Sequence, residues 1–347
     1  MTRFAIDLYS DTLTRPTPAM REAIARAEVG DEQKREDPTV NRLQEMTADM
    51  LGHEAGLFLP SGTMCNLIAH CVWCRPGEEI IIEQSSHPVH FEGGGPAVGA
   101  RVSLRALASA RGIFTADQVE AAVRPNDPHF PRSRLVCLEN THNMGGGTVW
   151  PLPAMQSVAE AARRHGLKLH LDGARLFNAT IAGGYRPRDV GALFDSVWID
   201  LTKGLGCPIG AVLTGARDFI EEARRYKQIF GGAMRQAGIV AAAGVYALEH
   251  HIDRLAEDHA NARRLADGLA DIPGISIRPD EVETNIVMFD VAGVGMSRAE
   301  FFRRLEAEGV RMSGRLTPTG VRAVTHLDIS QADVDRALQV VGRVIRG

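Results

Sequence analysis

Apolar and polar positions alternate in a regular way from about residue 55 to residue 213, and the pattern changes after about residue 250. Short apolar runs occur at Leu57-Phe-Leu59, Glu79-Ile-Ile-Ile-Glu83, Arg101-Val-Ser-Leu104, Arg134-Leu-Val-Cys-Leu-Glu139, 167–171, 196–200 and 211–213. Stretches of helical period lie among them, at 154–165 and 188–194, with an Ala-rich one following at 239–248. Near-continuous apolar strands separated by helices predict a mostly parallel sheet covered on both faces. Upstream, a first helix begins at Pro18. Asp37 can cap a second, with Pro38 at its first position. Val40, Leu43, Met46 or Thr47, and Met50 share one face of that helix, and Gly52 closes it. Thr115-Ala-Asp-Gln118 reads as a capping box opening a helix that Pro125 ends. Beyond residue 250 come an Arg/Glu/Asp-rich helix, strands at 275–277 and 285–289, a helix at 298–308, a strand at 321–325 and a last helix at 331–346. The fold class is therefore α/β, with a large domain over 1–249 and a smaller α/β domain over 250–347.

Composition narrows the class of function. The 347 residues are 44% hydrophobic and 24% charged, with a net charge of −4, as in ordinary soluble domains. No basic excess points to nucleic acid. The N-terminal Met-Thr-Arg-Phe-Ala-Ile-Asp carries charge too early for a secretory leader, and no apolar run reaches membrane-spanning length. A cytoplasmic protein with no membrane partner is expected. Five cysteines, at 65, 71, 74, 137 and 207, show no framework spacing. Cys71 and Cys74 lack a second pair, so buried thiols are expected and no metal.

Candidate chemistry gathers at strand ends, where open parallel sheets collect ligands. Of 39 lysines and arginines only four are lysine, at 34, 168, 203 and 227. Lys203 follows the strand 196–200 and precedes a glycine-rich turn. Guanidinium does not deprotonate in proteins, so condensation with an aldehyde is a job that arginine cannot do. Asp172 closes the neighbouring strand. An acid able to pair with a pyridinium nitrogen, beside such a lysine, is the minimal chemistry of a pyridoxal-phosphate site. Ser61-Gly62-Thr63 opens a helix whose free N–H groups suit a phosphate, although the same triplet is an everyday N-cap. His87 lies past one strand end and the group Asn140–Asn143, with His142, past another. Arg322 interrupts an apolar strand and calls for an anion, either a carboxylate ligand or an internal salt bridge. The loop Gly30–Asp37, with Lys34, reads as a solvated charged run. His250, His251 and His259 lack the i, i+4 spacing of a metal pair.

With these residues in place, the chain resembles the low-specificity L-threonine aldolases, in the β-eliminating-lyase branch of fold type I pyridoxal-phosphate enzymes. The resemblance rests on Ser-Asp-Thr-Leu-Thr-Arg-Pro (10–16), Asp-Pro-Thr-Val-Asn (37–41), Phe-Leu-Pro-Ser-Gly-Thr (58–63) and Glu-Asn-Thr-His-Asn (139–143). It continues through Asp-Gly-Ala-Arg (172–175), Thr-Lys-Gly-Leu-Gly (202–206), Gly-Gly-Ala-Met-Arg-Gln (231–236) and Val-Thr-His-Leu-Asp (324–328). It implies an aspartate-aminotransferase-like large domain and pyridoxal 5'-phosphate bound covalently to Lys203. Asp172 would pair with the ring nitrogen and His87 would stack on the ring. Gly62 and Thr63, helped by Thr202, would hold the phosphate. Arg175 would meet the phenolic oxygen or the substrate carboxylate, and Ser10 and Arg322 would grip that carboxylate. His87 or His142 would serve as base. The implied reaction is retro-aldol cleavage of L-threonine, L-allo-threonine or a related β-hydroxy amino acid, with β-elimination or transamination as alternatives on the same scaffold. A homotetramer built from dimers is implied, with Arg235 reaching a neighbour's site. Where relatives often carry Tyr-Gly, this chain has Lys34-Arg35, which makes Lys34 a candidate substrate contact and an acidic or polar β-substituent the expected preference.

Overall fold

The computed structural model describes residues 4–346; residues 1–3, part of the N-terminal stretch read above for a leader, lie outside the described residues, as does 347. Among the described residues there are twelve strands: β1 (Ile6–Asp7), β2 (Ala55–Leu59), β3 (Glu79–Glu83), β4 (Ser103–Leu107), β5 (Ser133–Glu139), β6 (Lys168–Gly173), β7 (Ser196–Asp200), β8 (Ala211–Gly215), β9 (Ile286–Asp290), β10 (Val310–Arg311), β11 (Ser313–Gly314) and β12 (Gly320–Val324). Seven make one sheet in the order β2-β8-β7-β6-β5-β3-β4. All its pairs are parallel except those of β8, which runs against both β2 and β7. Every residue of β3, β7 and β8 is buried, as strands covered on both faces require. β3, β5, β6 and β7 point the same way, so their carboxyl ends share one edge of the sheet. The turn from β7 to β8 also lies there. It is closed by Gly210, at φ 107°, where a Cβ would stand 2.3 Å from the Phe58 ring.

The second core lies in the C-terminal part. β9, β11 and β12 form a three-stranded antiparallel sheet, packed through Phe289, Val321 and Ala323 against helices Leu255–Ala270, Arg298–Ala307 and Gln331–Arg346. Two sequence expectations change here. Residues 275–277 form no strand, since only Ser276 bridges to Asp290. Ile6 and Leu8, assigned by sequence to the large domain, pack into this second core, and β1 pairs in parallel with β10.

In the helix Pro38–Leu51 it is Thr47, not Met46, that is fully buried, because its hydroxyl donates to the Leu43 carbonyl at 2.8 Å. Asp37 holds this helix to the next layer. Its Oδ1 accepts from the N–H groups of Thr39 (3.1 Å) and Val40 (3.0 Å), and its Oδ2 from those of Gly30 (3.2 Å) and Gly238 (2.8 Å). One carboxylate therefore serves two helix starts, and it is fully buried. Asp37→Ala leaves these amides without an acceptor and should lower stability by about 3 kcal/mol or more. Urea unfolding should show the midpoint falling, with Asp37→Asn in between because it keeps one capping oxygen.

Candidate active site

A cleft of about 500 Å³ opens at the shared carboxyl edge of the sheet, against β11 and β12 of the smaller layer. Ser10, Gly62, Thr63, His87, Asp172, Arg175, Thr202, Lys203 and Arg322 all line it. A larger groove of about 700 Å³, between helices Pro38–Leu51 and Arg217–Ile229, holds none of these residues.

Lys203 stands three residues beyond the end of β7. Its amine reaches back to Asp200 and lies 5.8 Å from the centre of the Trp198 ring. Asp200 also accepts from Thr202, through its N–H at 2.8 Å and its hydroxyl at 2.7 Å. The Lys203 carbonyl accepts from Thr14 Oγ1 at 2.9 Å. These bonds fix the loop and leave a primary amine at the cleft wall.

Asp172 lies near the end of β6, with Glu139 of β5 and Trp198 of β7 as its register neighbours. Its Oδ2 accepts from Asn66 at 2.9 Å and its Oδ1 from the Ala174 N–H at 3.0 Å. Burial first, and the Glu139 carboxylate second, push its pKa up to about 7. His87 opens a one-turn helix, His87–His90, past the end of β3. Its N–H donates to Glu139 at 2.8 Å, and its Nδ1 meets Glu92 at 2.9 Å. Burial alone would lower the imidazole pKa, but Glu92 and then Asp172 more than offset it, so the value is raised.

Ser61 caps the helix Gly62–Trp73, and its first residues, Gly62 and Thr63, line the cleft. Gly62 is required there, because a Cβ would stand 2.2 Å from the Trp198 ring. Arg175 and Arg322 form the opposite wall. Arg175 donates twice to Asp11, both at 2.7 Å, and Asn285 donates to the same acid at 3.1 Å. Burial would raise Asp11, but Arg175 outweighs it and holds the carboxyl far below the usual range. Arg322 has only neutral partners, Asn143 Oδ1 at 2.9 Å and the Tyr9 carbonyl at 3.3 Å, and its Nε has none. Burial, then Arg175, lower it to about 10. A half-buried guanidinium paired only with neutral acceptors favours an incoming anion.

Three sequence candidates lie elsewhere. His142 is fully buried and off the cleft, with Nδ1 accepting from the Gly145 N–H at 3.1 Å and Nε2 facing Glu83 at 3.2 Å. Lys34 is exposed and lines no part of this chain's cleft. Arg235 is exposed and paired with Asp31 at 2.9 Å, while Arg35 pairs with Glu221. Sequence reasoning missed Asp11, Asn66, Glu92, Glu139 and Asp200. Glu139 and Asp200 carried the same signal as Asp172, an acid closing an apolar strand. Asn66 carried only the weak one of a polar side chain in an apolar helix.

The donor set fits a phosphorylated pyridine aldehyde. It offers a primary amine, a carboxylate able to accept from a ring N–H, a helix start for the phosphate and an imidazole beside them.

The family model for beta-eliminating lyases matches residues 7–292. The chain is 43% identical to low specificity L-threonine aldolase of Escherichia coli (strain K12), over 94% of this chain and 95% of that one. It is 42% identical to low-specificity L-threonine aldolase 1 of Arabidopsis thaliana, over 96% and 94%. Among solved structures, a threonine aldolase of Leishmania major superposes with a TM-score of 0.84 at 21% identity, covering 98% of this chain and 99% of that one. The aspartate aminotransferase of Rhizobium meliloti gives 0.70 at 16%, covering 98% and 91%. The expected fold type I architecture is therefore present.

Gly62→Ala tests the phosphate cup. Alanine improves helix propensity slightly, but the close approach to Trp198 forces the helix start to move, at a cost of about 1–3 kcal/mol. Melting should occur at a lower temperature, and a fluorescence titration should show pyridoxal phosphate binding about tenfold or more weaker.

Proposed function

The chain belongs to the β-eliminating lyase family, and from that premise we propose that it cleaves a β-hydroxy-α-amino acid, such as L-threonine or L-allo-threonine, to glycine and an aldehyde with pyridoxal 5'-phosphate as cofactor. One observation carries this reading: the Lys203 amine, Asp172, His87 and the start of helix Gly62–Trp73 converge on a single cleft beside Arg322. Lys203 would hold the cofactor through its aldehyde, Asp172 through its ring nitrogen, and Gly62 and Thr63, helped by Thr202, through its phosphate. When bound, pyridoxal phosphate supplies an electron sink for the pair released as Cα–Cβ breaks.

The chain's own residues do the rest. Arg322, with Ser10 at its side of the cleft, binds the substrate carboxylate; Arg175 is already engaged by Asp11. His87 takes the β-hydroxyl proton, directly or through a water, as the aldehyde C=O forms. Glu92 stabilises the imidazolium that results. Asp172 keeps the ring nitrogen protonated. Of the two histidines considered, His87 is the one on the cleft.

Two further parts of the reading concern setting. Lys34 and Arg235 are exposed and away from this chain's cleft; in a homotetramer Lys34, and Arg235 on leaving Asp31, would reach a neighbour's site, and the exposed Ile229 and Ile239 suit such contacts. Five buried free thiols suit the reducing cytoplasm, and among the described residues no helix is long and apolar enough to cross a membrane.

Protein supplied with pyridoxal phosphate should show a near-visible absorbance band that borohydride abolishes, and it should release glycine from L-threonine or a related β-hydroxy amino acid. Lys203→Ala should lack the band and lose several orders of magnitude in rate. Protein that stays colourless and yields no glycine overturns the reading.

The raised imidazole gives a second check. The base works unprotonated, so the rate should rise with pH through a value above the ordinary histidine range. Glu92→Gln removes the anion that raises His87, and the acidic limb of the pH–rate profile should move to lower pH.

A further inference from the structure

One side chain joins the two sides of this site and has no part in the chemistry above. Asn66 lies in the second turn of helix Gly62–Trp73 and is 1% exposed. Its amide nitrogen donates to Asp172 Oδ2 at 2.9 Å and to Glu92 Oε1 at 2.8 Å, and the same Glu92 oxygen holds His87 Nδ1. Its oxygen faces Trp198 Nε1 at 2.7 Å and His170 Nε2 at 3.1 Å.

The orientation of this amide is forced. An indole N–H can only donate, so Trp198 must meet oxygen and not nitrogen. His170 then carries its proton on Nε2. Its Nδ1 accepts from the Ser196 hydroxyl at 2.8 Å, whose oxygen in turn accepts from the Trp73 indole at 2.8 Å. His170 is fully buried, and burial, then His70, hold it neutral, so the tautomer does not alternate. From Trp73 inward, each donor points toward Asp172 and Glu92.

We propose that Asn66, oriented by His170, is a positioning residue that shares one amide between Asp172 and Glu92 and so holds the cofactor's acid partner and His87 as a single unit. The proposal rests on the cofactor reading given above. A neutral double donor is the type of group required. An aspartate here would add a further negative charge, and an apolar side chain would take one hydrogen-bond partner from each of two buried carboxylates, leaving Ala174 to Asp172 and His87 to Glu92.

The charges around Asp172 come from every side of the cleft. Glu139 and His142 follow from β5, His87 and Glu92 from the turn after β3, Asp200 and Lys203 from the end of β7, and Arg175 from its own strand end. Against burial and Glu139, the Asn66 hydrogen bond is among the few contacts that keep Asp172 ionised.

The test is pyridoxal phosphate affinity as a function of pH, measured by fluorescence on cofactor-free protein. In the wild type the affinity falls as Asp172 takes up a proton. In Asn66→Leu, Asp172 protonates at still higher pH, so the acidic limb of binding should move up by about one pH unit, with affinity at neutral pH about tenfold lower. His170→Phe should shift the limb the same way by less, because the amide keeps Trp198 but loses its second anchor. Should Asn66→Leu fail to fold in a circular-dichroism melt, His170→Phe carries the test. A folded variant whose affinity is unchanged, or drops equally at all pH values, overturns the positioning role. Wild-type protein that binds no pyridoxal phosphate overturns the functional reading instead, so the two failures are distinguishable.

Discussion

The site depends on supplying hydrogen-bond partners to several carboxylates held out of water. Asp172, Glu139 and Glu92 are all buried at one edge of the sheet. A buried carboxylate without donors is expensive enough to take up a proton instead. Each acid is therefore supplied with two hydrogen-bond partners. Glu139 receives the N–H groups of His87 and Asn143, both at 2.8 Å. Asp172 receives Ala174 and Asn66, and Glu92 receives Asn66 and His87. The turns after β3, β5 and β6 and the helix after β2 are held in place by these bonds, so the cleft and its electrostatics are one construction.

The opposite wall solves the reverse problem. Two guanidinium groups sit close together, and only one has an anion within the chain. Asp11 binds Arg175 through both oxygens. Arg322 has carbonyl-type partners alone. The asymmetry leaves a net positive position on one side of the cleft, where a carboxylate is worth most because the surroundings exclude water.

Much of this was legible from the chain. β7 was expected at 196–200 and is found there, and Lys203 and Asp172 were singled out because they close apolar strands. The capping box at Thr115 forms with both its bonds. What could not be read depends on partners far away in sequence. β1 is two residues long and carries no periodic signal; it exists because β10 lies beside it, some three hundred residues on. Asn66 meets Asp172 across 106 positions. His142 shows the complementary limit. Its place after β5 was correct, but chain position does not say which way a side chain turns, and here Gly112 leaves room for the ring beneath the loop.

The pairing of β1 with β10 has a wider consequence. Leu8 accepts from the Val324 N–H at 2.9 Å, and the Asp7 carbonyl meets His326 Nε2 at 2.9 Å, so residues 6–8 are woven into the smaller layer. A few residues later, Thr14 is latched to the backbone of Lys203. The opening segment is thus a strap slung between the two layers, with Ser10 and Asp11 on its span. Arg322, 313 positions on, donates to the Tyr9 carbonyl of this span. A nick between Tyr9 and Thr14 would part the carbonyl held by Arg322 from the latch on Lys203, without touching Ile6 or Leu8 in the second core.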